Sequence, residues 1–379
     1  MNREMMKTEV IEAFAKAYGD SAGVRTFFAP GRVNLIGEHT DYNGGHVFPC
    51  ALTIGTYAAV RLRDDNICRF YSKNFPEIGV ISEGGFANYP LGVVKMLKDA
   101  GYNIDKGFDV AYYGDIPYAS GLSSSASVEV LTGYFLKELF GLDITNTEIA
   151  LIGQKCENEI IGVNCGIMDQ FIIANGKKDY ATFLDTSTLE FSYVPIKLDG
   201  MKLIIACTNK KRGLKDSKYN ERRAECEQAV KDIGNISFLG ELTPEEFEDI
   251  KDKINNEVNK KRARHAVYEN ARTIKACDAL KNNDIETFGK LMNESHISLR
   301  DDYEVTGIEL DTLVSTAWEQ EGVIGSRMTG AGFGGCTVSI VKDKYIDDFI
   351  FVVGKKYKEK IGYPADFYIV EIGDGPCEI

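Results

Sequence analysis

The chain has 379 residues, of which 44% are apolar and 27% charged, and its formal net charge is -13. This length exceeds what a single hydrophobic core usually holds, so two domains are expected. The acidic balance argues against nucleic acid as a partner, because phosphate backbones are bound by clustered Lys and Arg. It still allows a nucleotide to be held locally by a glycine-rich loop and a metal ion.

The first residues, MNREMMKTEVIEAFAKAYG, predict an amphipathic helix and lack the apolar run of a signal peptide. No segment approaches the length of a membrane span, so no membrane partner is expected. Nine cysteines are scattered along the chain without a C-x-x-C pair. An odd number of cysteines, without an export signal or metal-ligand spacing, predicts reduced thiols and a cytoplasmic protein.

Residues 29–45, APGRVNLIGEHTDYNGG, gather polar and charged side chains where neither helix nor strand is expected to form easily. Carboxylates accept hydrogen bonds and imidazole donates or accepts, so Glu38, His39 and Asp41 suit a neutral polyol with several hydroxyl groups. The same carboxylates would repel an anionic substrate. A solvated turn rich in Asp and Asn is the alternative, and the apolar segments on both sides favour the binding site.

Strands and helices follow without regular βαβ alternation. Period-two patterns predict strands at residues 57–63 and 108–113. Apolar side chains at helical spacing over residues 128–139 predict a helix that ends at Gly141. A second helix is predicted over about residues 147–160.

The second half of the chain continues this mixture. KLIIACT (202–208) predicts a buried strand, residues 219–290 are mostly helical and highly charged, and an amphipathic helix surrounds Leu310. The irregular order favours an α+β fold with mixed sheets over a doubly wound sheet. The expected domains are an N-terminal one over residues 1–195 and a C-terminal one over residues 196–379.

A serine-rich loop, YASGLSSSAS (118–127), joins a predicted strand to a predicted helix. Free backbone N–H groups at a helix N-terminus, supported by the helix dipole, suit a phosphate group. Gly121 lets the backbone approach a ligand closely, and one serine hydroxyl could ligate a magnesium ion. The alternative is a serine N-cap on an ordinary helix.

A second glycine-rich stretch, GAGFGG (330–335), matches the text pattern of a dinucleotide-binding fingerprint. That fingerprint requires a strand before the loop and a helix after it, whereas a strand is predicted after this loop. A Rossmann interpretation is therefore rejected. A tight turn before a central strand and a second loop flanking a bound nucleotide both remain possible.

Two acids in the middle of the chain are candidates for chemistry. Asp169 follows a glycine-containing loop and lies between Met168 and Phe171, where a carboxylate could act as a base or could simply cap a helix. Glu157 lies on the preceding predicted helix, and its spacing alone favours a solvated surface residue.

These segments resemble the galactokinases of the GHMP small-molecule kinase superfamily. GRVNLIGEHTDYNGG resembles the galactokinase signature, GLSSSAS the superfamily's phosphate-loop motif, and MTGAGFGGC its third motif. CGIMDQF, KYNERRAECEQA and LRDDYEVTGIELDTL resemble further galactokinase segments. The resemblance extends in order from about residue 27 to the terminal GDG.

The resemblance implies a two-domain GHMP-kinase-like fold with the active site in the cleft between the domains. It implies D-galactose and ATP as the small-molecule partners, Mg²⁺ as the metal, phosphorylation of the C1 hydroxyl, and a monomer. Catalysis is assigned to Asp169 as base toward that hydroxyl and to Arg32, which lies beside that aspartate and stabilises the transition state. Sugar binding is assigned to Glu38, His39, Thr40, Asp41 and Tyr219.

The resemblance also assigns the nucleotide and metal contacts. It places magnesium on Ser125 and Glu157, which reverses the surface interpretation of Glu157, and it places Phe86 near the adenine. Relatives commonly read G-A-G-L-S-S-S-A, and the missing first glycine of this chain stiffens the loop slightly. The phosphate loop comprises Ala119, Ser120, Gly121, Leu122, Ser123, Ser124 and Ser125.

Several alternatives to this function remain. A non-catalytic sugar sensor would have lost residues of the serine loop, whereas Ser125 and Ala126 are intact. A serine hydrolase would need a G-x-S-x-G elbow, and GLSSSAS lacks its second glycine. Among sugars, the acids disfavour galacturonate, while N-acetylgalactosamine and arabinose stay open.

Overall fold

The computed structural model describes residues 3–117, 121–210 and 215–379 of the chain. Its helices are α1 (Arg3–Tyr18), α2 (Asn88–Asp99), α3 (Ser124–Phe140), α4 (Asn146–Cys156), α5 (Met168–Asn175), α6 (Lys215–Ile233), α7 (Pro244–Ile250), α8 (Glu257–Lys281), α9 (Ile285–Asp301), α10 (Gly307–Trp318) and α11 (Ile346–Ile361). Its strands are β1 (Arg25–Asn34), β2 (His46–Val47), β3 (Pro49–Leu62), β4 (Arg69–Ser72), β5 (Phe108–Gly114), β6 (Tyr180–Asp185), β7 (Phe191–Pro195), β8 (Met201–Cys207), β9 (Val323–Thr329), β10 (Cys336–Lys342), β11 (Asp366–Val370) and β12 (Cys377–Glu378).

The strands form three sheets. The first has the order β12-β1-β3-β5-β4 and is antiparallel except for the parallel β5-β4 pair. The second, β11-β8-β10-β9, and the third, β2-β6-β7, are antiparallel throughout. Sheets of this kind, with helices that do not alternate regularly with strands, confirm the predicted α+β class.

Helices cover both faces of the first sheet. On one face, α1 packs Phe14 into a cluster with Phe28 and Tyr57 of the sheet. On the other, α3 places Phe135 against Phe108, with ring centroids 5.3 Å apart. Burying each such side chain contributes about 1.5–3 kcal/mol, so these two layers hold α3 and its N-terminus in place.

A second apolar cluster joins the two halves of the chain. It packs Val33, Leu35 and Phe48 from the N-terminal half against Ile205 and Ile340 from the C-terminal half. The segment that contains Glu38 and Asp41 therefore begins inside a core shared by both halves. The boundary near residue 195 falls between β7 and β8 and stays a prediction.

Strand β1 corrects one expectation, because residues 29–34 were expected to lack regular structure. The strand runs through Pro30 and Gly31 to Asn34, and the register with β3 shifts between Pro30 and Arg32. One residue of β1, Gly31, lies there opposite three residues of β3, so the extra residues belong to β3 and regular pairing resumes at Arg32 opposite Ala51.

The other predicted elements differ from the structure mainly at their ends. The helix expected over residues 128–139 begins earlier, at Ser124, and Gly141 terminates it in a left-handed conformation (φ 61°). The helix expected to reach about residue 160 leaves α-helical geometry after Cys156 and continues as a π-helical turn, Glu157–Ile161. The GAGFGG loop joins antiparallel strands β9 and β10, which agrees with rejecting the Rossmann interpretation.

The expectation of reduced thiols is wrong for one pair of cysteines. Cys207 on β8 and Cys336 on β10 are directly opposite in the ladder and form a disulfide. Sequence spacing could not indicate this pair, because 129 positions separate the two residues. Among the helices in the described ranges, none is long and apolar enough to cross a membrane.

Candidate active site

A cavity of about 160 Å³ opens where the two halves of the chain meet. Most of its lining comes from the first half, and Tyr219, Gly330 and Ala331 come from the second. The cavity brings together eight side chains that the sequence predicted for the site: Arg32, Glu38, His39, Asp41, Ser125, Glu157, Asp169 and Tyr219.

Arg32 and Asp169 form a two-pronged ion pair on the cavity wall. Arg32 Nε donates to Asp169 Oδ1 at 2.8 Å and Arg32 Nη2 donates to Asp169 Oδ2 at 2.7 Å. The remaining prong, Nη1, donates to the carbonyl oxygen of Gly121 at 2.6 Å. Arg32 is buried, whereas 31% of the Asp169 side chain stays exposed toward the cavity. A bidentate pair of this kind fixes the orientation of the carboxylate.

The serine loop approaches the same carboxylate. Ser123 adopts a left-handed conformation (φ 61°) just before α3, and its hydroxyl donates to Asp169 Oδ2. Ser123 therefore contacts Asp169, although it was predicted to contact phosphate. Ser124 is exposed at the first position of α3, and Ser125 faces the cavity. The unpaired N–H groups and positive dipole end of α3 are thus available to an anion there.

Glu38 is buried in the cavity wall and is surrounded by donors. It accepts from the Gly330 N–H at 2.6 Å and from the Asn34 side-chain amide. Arg327 on β9, which is fully buried, places Nη1 3.5 Å from Glu38 Oε1. Burial raises the pKa of Glu38, and the charge of Arg327 opposes that shift.

His39 lies in a left-handed turn (φ 62°) and packs among aromatic rings. Its Nδ1 is 2.8 Å from the Tyr42 hydroxyl, and its ring centroid lies 5.6 Å from that of Tyr219. Burial lowers the pKa of His39 to about 3, and the nearby His265 adds to the shift. The imidazole is therefore neutral near pH 7 and offers hydrogen bonds without charge.

Asp41 faces the cavity beside Gly166. A Cβ atom at position 166 would overlap the Asp41 carboxylate, so only glycine leaves room for it. Burial and the negative charge of Asp169 raise the pKa of Asp41 to about 7. Asp41 therefore changes its protonation state near physiological pH.

Ser125 and Glu157 provide an oxygen pair that fits magnesium. Ser125 Oγ lies 3.4 Å from Glu157 Oε1. Within the described ranges, no group of three or more His, Cys, Asp or Glu side chains could hold a metal ion. Mg²⁺ commonly takes only one or two protein oxygens together with water and substrate phosphates, so this pair suits a metal shared with a nucleotide.

Six of the predicted site residues that the structure describes do not line the cavity: Gly121, Ser123 and Ser124 of the serine loop, and Thr40, Leu122 and Phe86. Thr40 is fully buried, and its hydroxyl, with one proton to donate, lies 2.9 and 2.7 Å from the carbonyl oxygens of Gly37 and His46. Leu122 is part of the shared apolar cluster. Phe86 is half-buried on the short turn Gly85–Ala87 before α2, and its role near adenine stays a prediction. Ala119 and Ser120 lie outside the described residues.

The structure adds polar residues that the sequence analysis missed. Gln170 on α5 donates to Glu157 Oε2 and to Glu129 Oε2, both at 3.0 Å. Arg327 lies between Glu38 and Glu269. In the sequence, each of these two residues is recognisable only as a polar residue within an apolar helix or strand. Their hydrogen-bonding and charge partners lie far away along the chain, so their roles could not be predicted.

Comparison with known proteins assigns this arrangement to a class. The family model for the GHMP kinases N terminal domain matches residues 88–177, and the model for GHMP kinases C terminal matches residues 276–358. Mevalonate kinase of Methanococcus jannaschii, at 18% identity, shares the fold with a TM-score of 0.64 over 93% of this chain and 99% of that one. The fold is therefore that of the GHMP kinases.

Closer relatives define the family. The galactokinase galactose-binding signature matches residues 12–62. The galactokinase of Clostridium acetobutylicum is 63% identical over 366 residues, covering 93% of this chain and 94% of the relative. A galactokinase from Lactococcus lactis, solved in complex with galactose, is 50% identical with a TM-score of 0.96, covering 98% of this chain and 100% of that one. The chain belongs to the galactokinase family.

Proposed function

We propose that the chain transfers the γ-phosphoryl group of ATP to the C1 hydroxyl of D-galactose, giving α-D-galactose 1-phosphate and ADP. The observation that carries this proposal is the fixed Arg32–Asp169 pair in the same cavity as the hydroxyl-binding Glu38, His39 and Asp41. Membership of the galactokinase family supports galactose as the sugar.

The sugar is bound by groups that suit hydroxyls. Glu38 and Asp41 accept hydrogen bonds, neutral His39 donates or accepts, and Tyr219 offers a phenol and an apolar ring face. Two carboxylates in one small cavity disfavour an acidic sugar through charge repulsion. Thr40 acts from behind the wall by holding the turn that presents its neighbours.

The transfer step needs positioning and charge neutralisation more than covalent chemistry. Asp169 accepts or orients the proton of the C1 hydroxyl as that oxygen bonds to the γ-phosphorus and the bond to ADP breaks. Arg32 holds Asp169 and offsets the negative charge of the transferring group. The start of α3 receives the phosphates through backbone N–H groups.

Ser125 and Glu157 would hold magnesium beside those phosphates. When bound there, the ion neutralises charge on the phosphate oxygens. We further propose a monomer that acts in the cytoplasm, with domains of residues 1–195 and 196–379 on the two sides of the cleft. Lining residues from both halves of one chain support the position of this cleft.

A coupled ADP-release assay with galactose and Mg-ATP tests the proposed function. We expect galactose-dependent ADP release and a phosphorus resonance from a C1 phosphate ester. Arabinose and N-acetylgalactosamine are tested in parallel. ADP release with either sugar would show that the cavity also accepts that sugar as a substrate. Galactose binding without any ADP release, in folded protein, would instead identify a sugar sensor.

Asp41→Asn should abolish a pH dependence of galactose capture. Above about pH 7 Asp41 is ionised and both oxygens accept hydrogen bonds, whereas below that pH one oxygen carries a proton. Wild-type kcat/KM for galactose should therefore rise with pH through about 7, because this ratio reports the free enzyme. In Asp41→Asn, kcat/KM should no longer rise with pH through about 7. The variant should also bind galactose about ten- to a hundred-fold more weakly.

Asp115→Asn is the matched control for Asp41→Asn, since Asp115 is half-buried, accepts from the Gly55 N–H at 2.7 Å and lies outside the cavity. In Asp115→Asn, kcat/KM should still rise with pH as it does in the wild type. If kcat/KM of Asp41→Asn rises with pH as in the wild type, a group other than Asp41 is responsible for the pH dependence.

Glu157→Gln should raise the magnesium concentration needed for half-maximal activity by at least about ten-fold, because a charged ligand is lost. Galactose affinity without nucleotide, measured by calorimetry, should stay unchanged. Glu159→Gln, an exposed neighbour on the same π-helical turn, serves as the control. An unchanged magnesium requirement in Glu157→Gln would show that Glu157 does not bind the metal.

A further inference from the structure

We propose that Gln170 is a positioning residue for the metal-binding carboxylate of Glu157. Gln170 is fully buried on α5, immediately after Asp169. Its amide nitrogen has two N–H groups, and it lies 3.0 Å from Glu157 Oε2 and 3.0 Å from Glu129 Oε2. Both donors of the amide are therefore used on carboxylates.

The two oxygens of the Glu157 carboxylate have different partners. Gln170 holds Oε2, while Oε1 lies 3.4 Å from Ser125 Oγ, on the side proposed for magnesium. A ligand whose second oxygen is hydrogen-bonded loses rotational freedom before the ion binds, and such outer contacts tune metal affinity. Gln170 thus prepares Glu157 without touching the ion.

Glu129 determines which way the Gln170 amide points. Glu129 lies one turn after Ser125 on α3, is fully buried, and accepts one of the two amide N–H groups. A reversed amide would turn its carbonyl oxygen, an acceptor, toward Glu157 Oε2 and would leave the oxygens of both acids without these N–H donors. The orientation that serves Glu157 is therefore the favoured one.

The surrounding helices are shaped to hold this contact. Gly153 on α4 faces the cluster, and a Cβ atom there would lie 3.1 Å from Gln170 Cγ and 3.4 Å from Glu129 Cβ. Because Gln170 follows Asp169 on the same helical turn, one segment carries both the proposed proton acceptor and the support for the metal ligand. A shift of α5 would disturb both together.

The test measures metal affinity directly. Gln170→Met keeps the length of the side chain and removes both donors. We expect Mn²⁺ to bind the complex with a non-hydrolysable ATP analogue about ten- to a hundred-fold more weakly, as measured by electron paramagnetic resonance titration. Galactose affinity by calorimetry should stay within about two-fold of wild type. Asn175→Leu, which removes an amide from the same helix away from Glu157, should leave Mn²⁺ affinity unchanged.

A double variant tests whether Gln170 acts through Glu157. In the Glu157→Gln background, Gln170→Met should weaken Mn²⁺ binding by no more than about two-fold, because the carboxylate to be positioned is gone. Additive losses would overturn the proposal, as would unchanged Mn²⁺ affinity in folded Gln170→Met. If Gln170→Met does not fold, Gln170→Asn, which is one methylene shorter, decides the matter by the same measurement.

This inference rests on the proposed role of Glu157, and the two failures can be told apart. If Glu157→Gln leaves Mn²⁺ affinity unchanged, the metal assignment itself is wrong. If Glu157→Gln weakens Mn²⁺ binding and the Gln170 variants do not, only the positioning role is wrong. A large fall in galactose affinity in Gln170→Met would indicate general distortion of the cavity and would also overturn it.

Discussion

Asp169→Asn is expected to lower kcat by at least about a hundred-fold, with a much smaller change in galactose affinity. The substitution keeps the shape of the side chain but removes its charge and its basicity. It also turns an amide N–H group toward the Arg32 donors, which now lie 2.7–2.8 Å from carboxylate oxygens. Steady-state kinetics and calorimetry with galactose separate these effects, because loss confined to the transition state lowers kcat more than affinity.

Two further variants define what a loss in Asp169→Asn means. Asp185→Asn makes the same change at a half-buried carboxylate outside the cavity and should leave kcat near wild type. Arg32→Ala should also lower kcat, and the double variant should be little worse than the worse single one, since the pair acts as a unit. Simple additivity would show that Asp169 and Arg32 act separately.

Arg327→Met should destabilise the protein by about 3–5 kcal/mol, the usual cost of leaving a buried charge without its partner. Arg327 has no exposed surface, and it lies 3.5 Å from Glu38 and 3.9 Å from Glu269, which are also buried. Glu269 keeps a second cation, because Arg272 Nε lies 2.8 Å from its Oε2, so Glu38 is the buried carboxylate that loses its cation. Urea unfolding followed by circular dichroism measures the loss.

Arg25→Met is the control for Arg327→Met. Arg25 pairs with Glu378 at 2.7 Å, but both side chains are more than a third exposed, so the change should cost at most about 1 kcal/mol. If both variants lower the free energy of unfolding equally, the position of Arg327 between two buried carboxylates does not contribute more to stability than an exposed ion pair. Galactose affinity of folded Arg327→Met should also fall, because Glu38 loses its neighbouring cation.

Local patterns predicted those parts of the site that come from one stretch of chain. Glu38, His39 and Asp41 were identified from residue types alone, because three hydroxyl-binding groups lie within four positions. The pairing of Arg32 with Asp169 came from family resemblance, since 137 positions separate them. Their joint placement depends on strand β1, whose Pro and Gly content concealed it, and on its irregular register with β3.

Buried polar residues with distant partners escaped prediction. Arg327 stands in an apolar strand pattern, and its charge is balanced by residues 289 and 58 positions earlier in the chain, Glu38 and Glu269. In the sequence, Gln170 is only a helical residue next to Asp169. The packing of α3, α4 and α5 reveals what its amide contacts. Such residues are recognised from three-dimensional proximity, which periodicity does not encode.

The edge of the first sheet has a consequence for how the protein is made. β1 pairs on one side with β3, which follows soon after it, and on the other with β12, for example through Phe27 opposite Glu378. The Arg25–Glu378 contact at that edge spans 353 positions. While the ribosome is still producing the intervening chain, the outer edge of β1 is an open template for strand addition. Chaperone protection of nascent chains should therefore matter more for this protein than its finished architecture suggests.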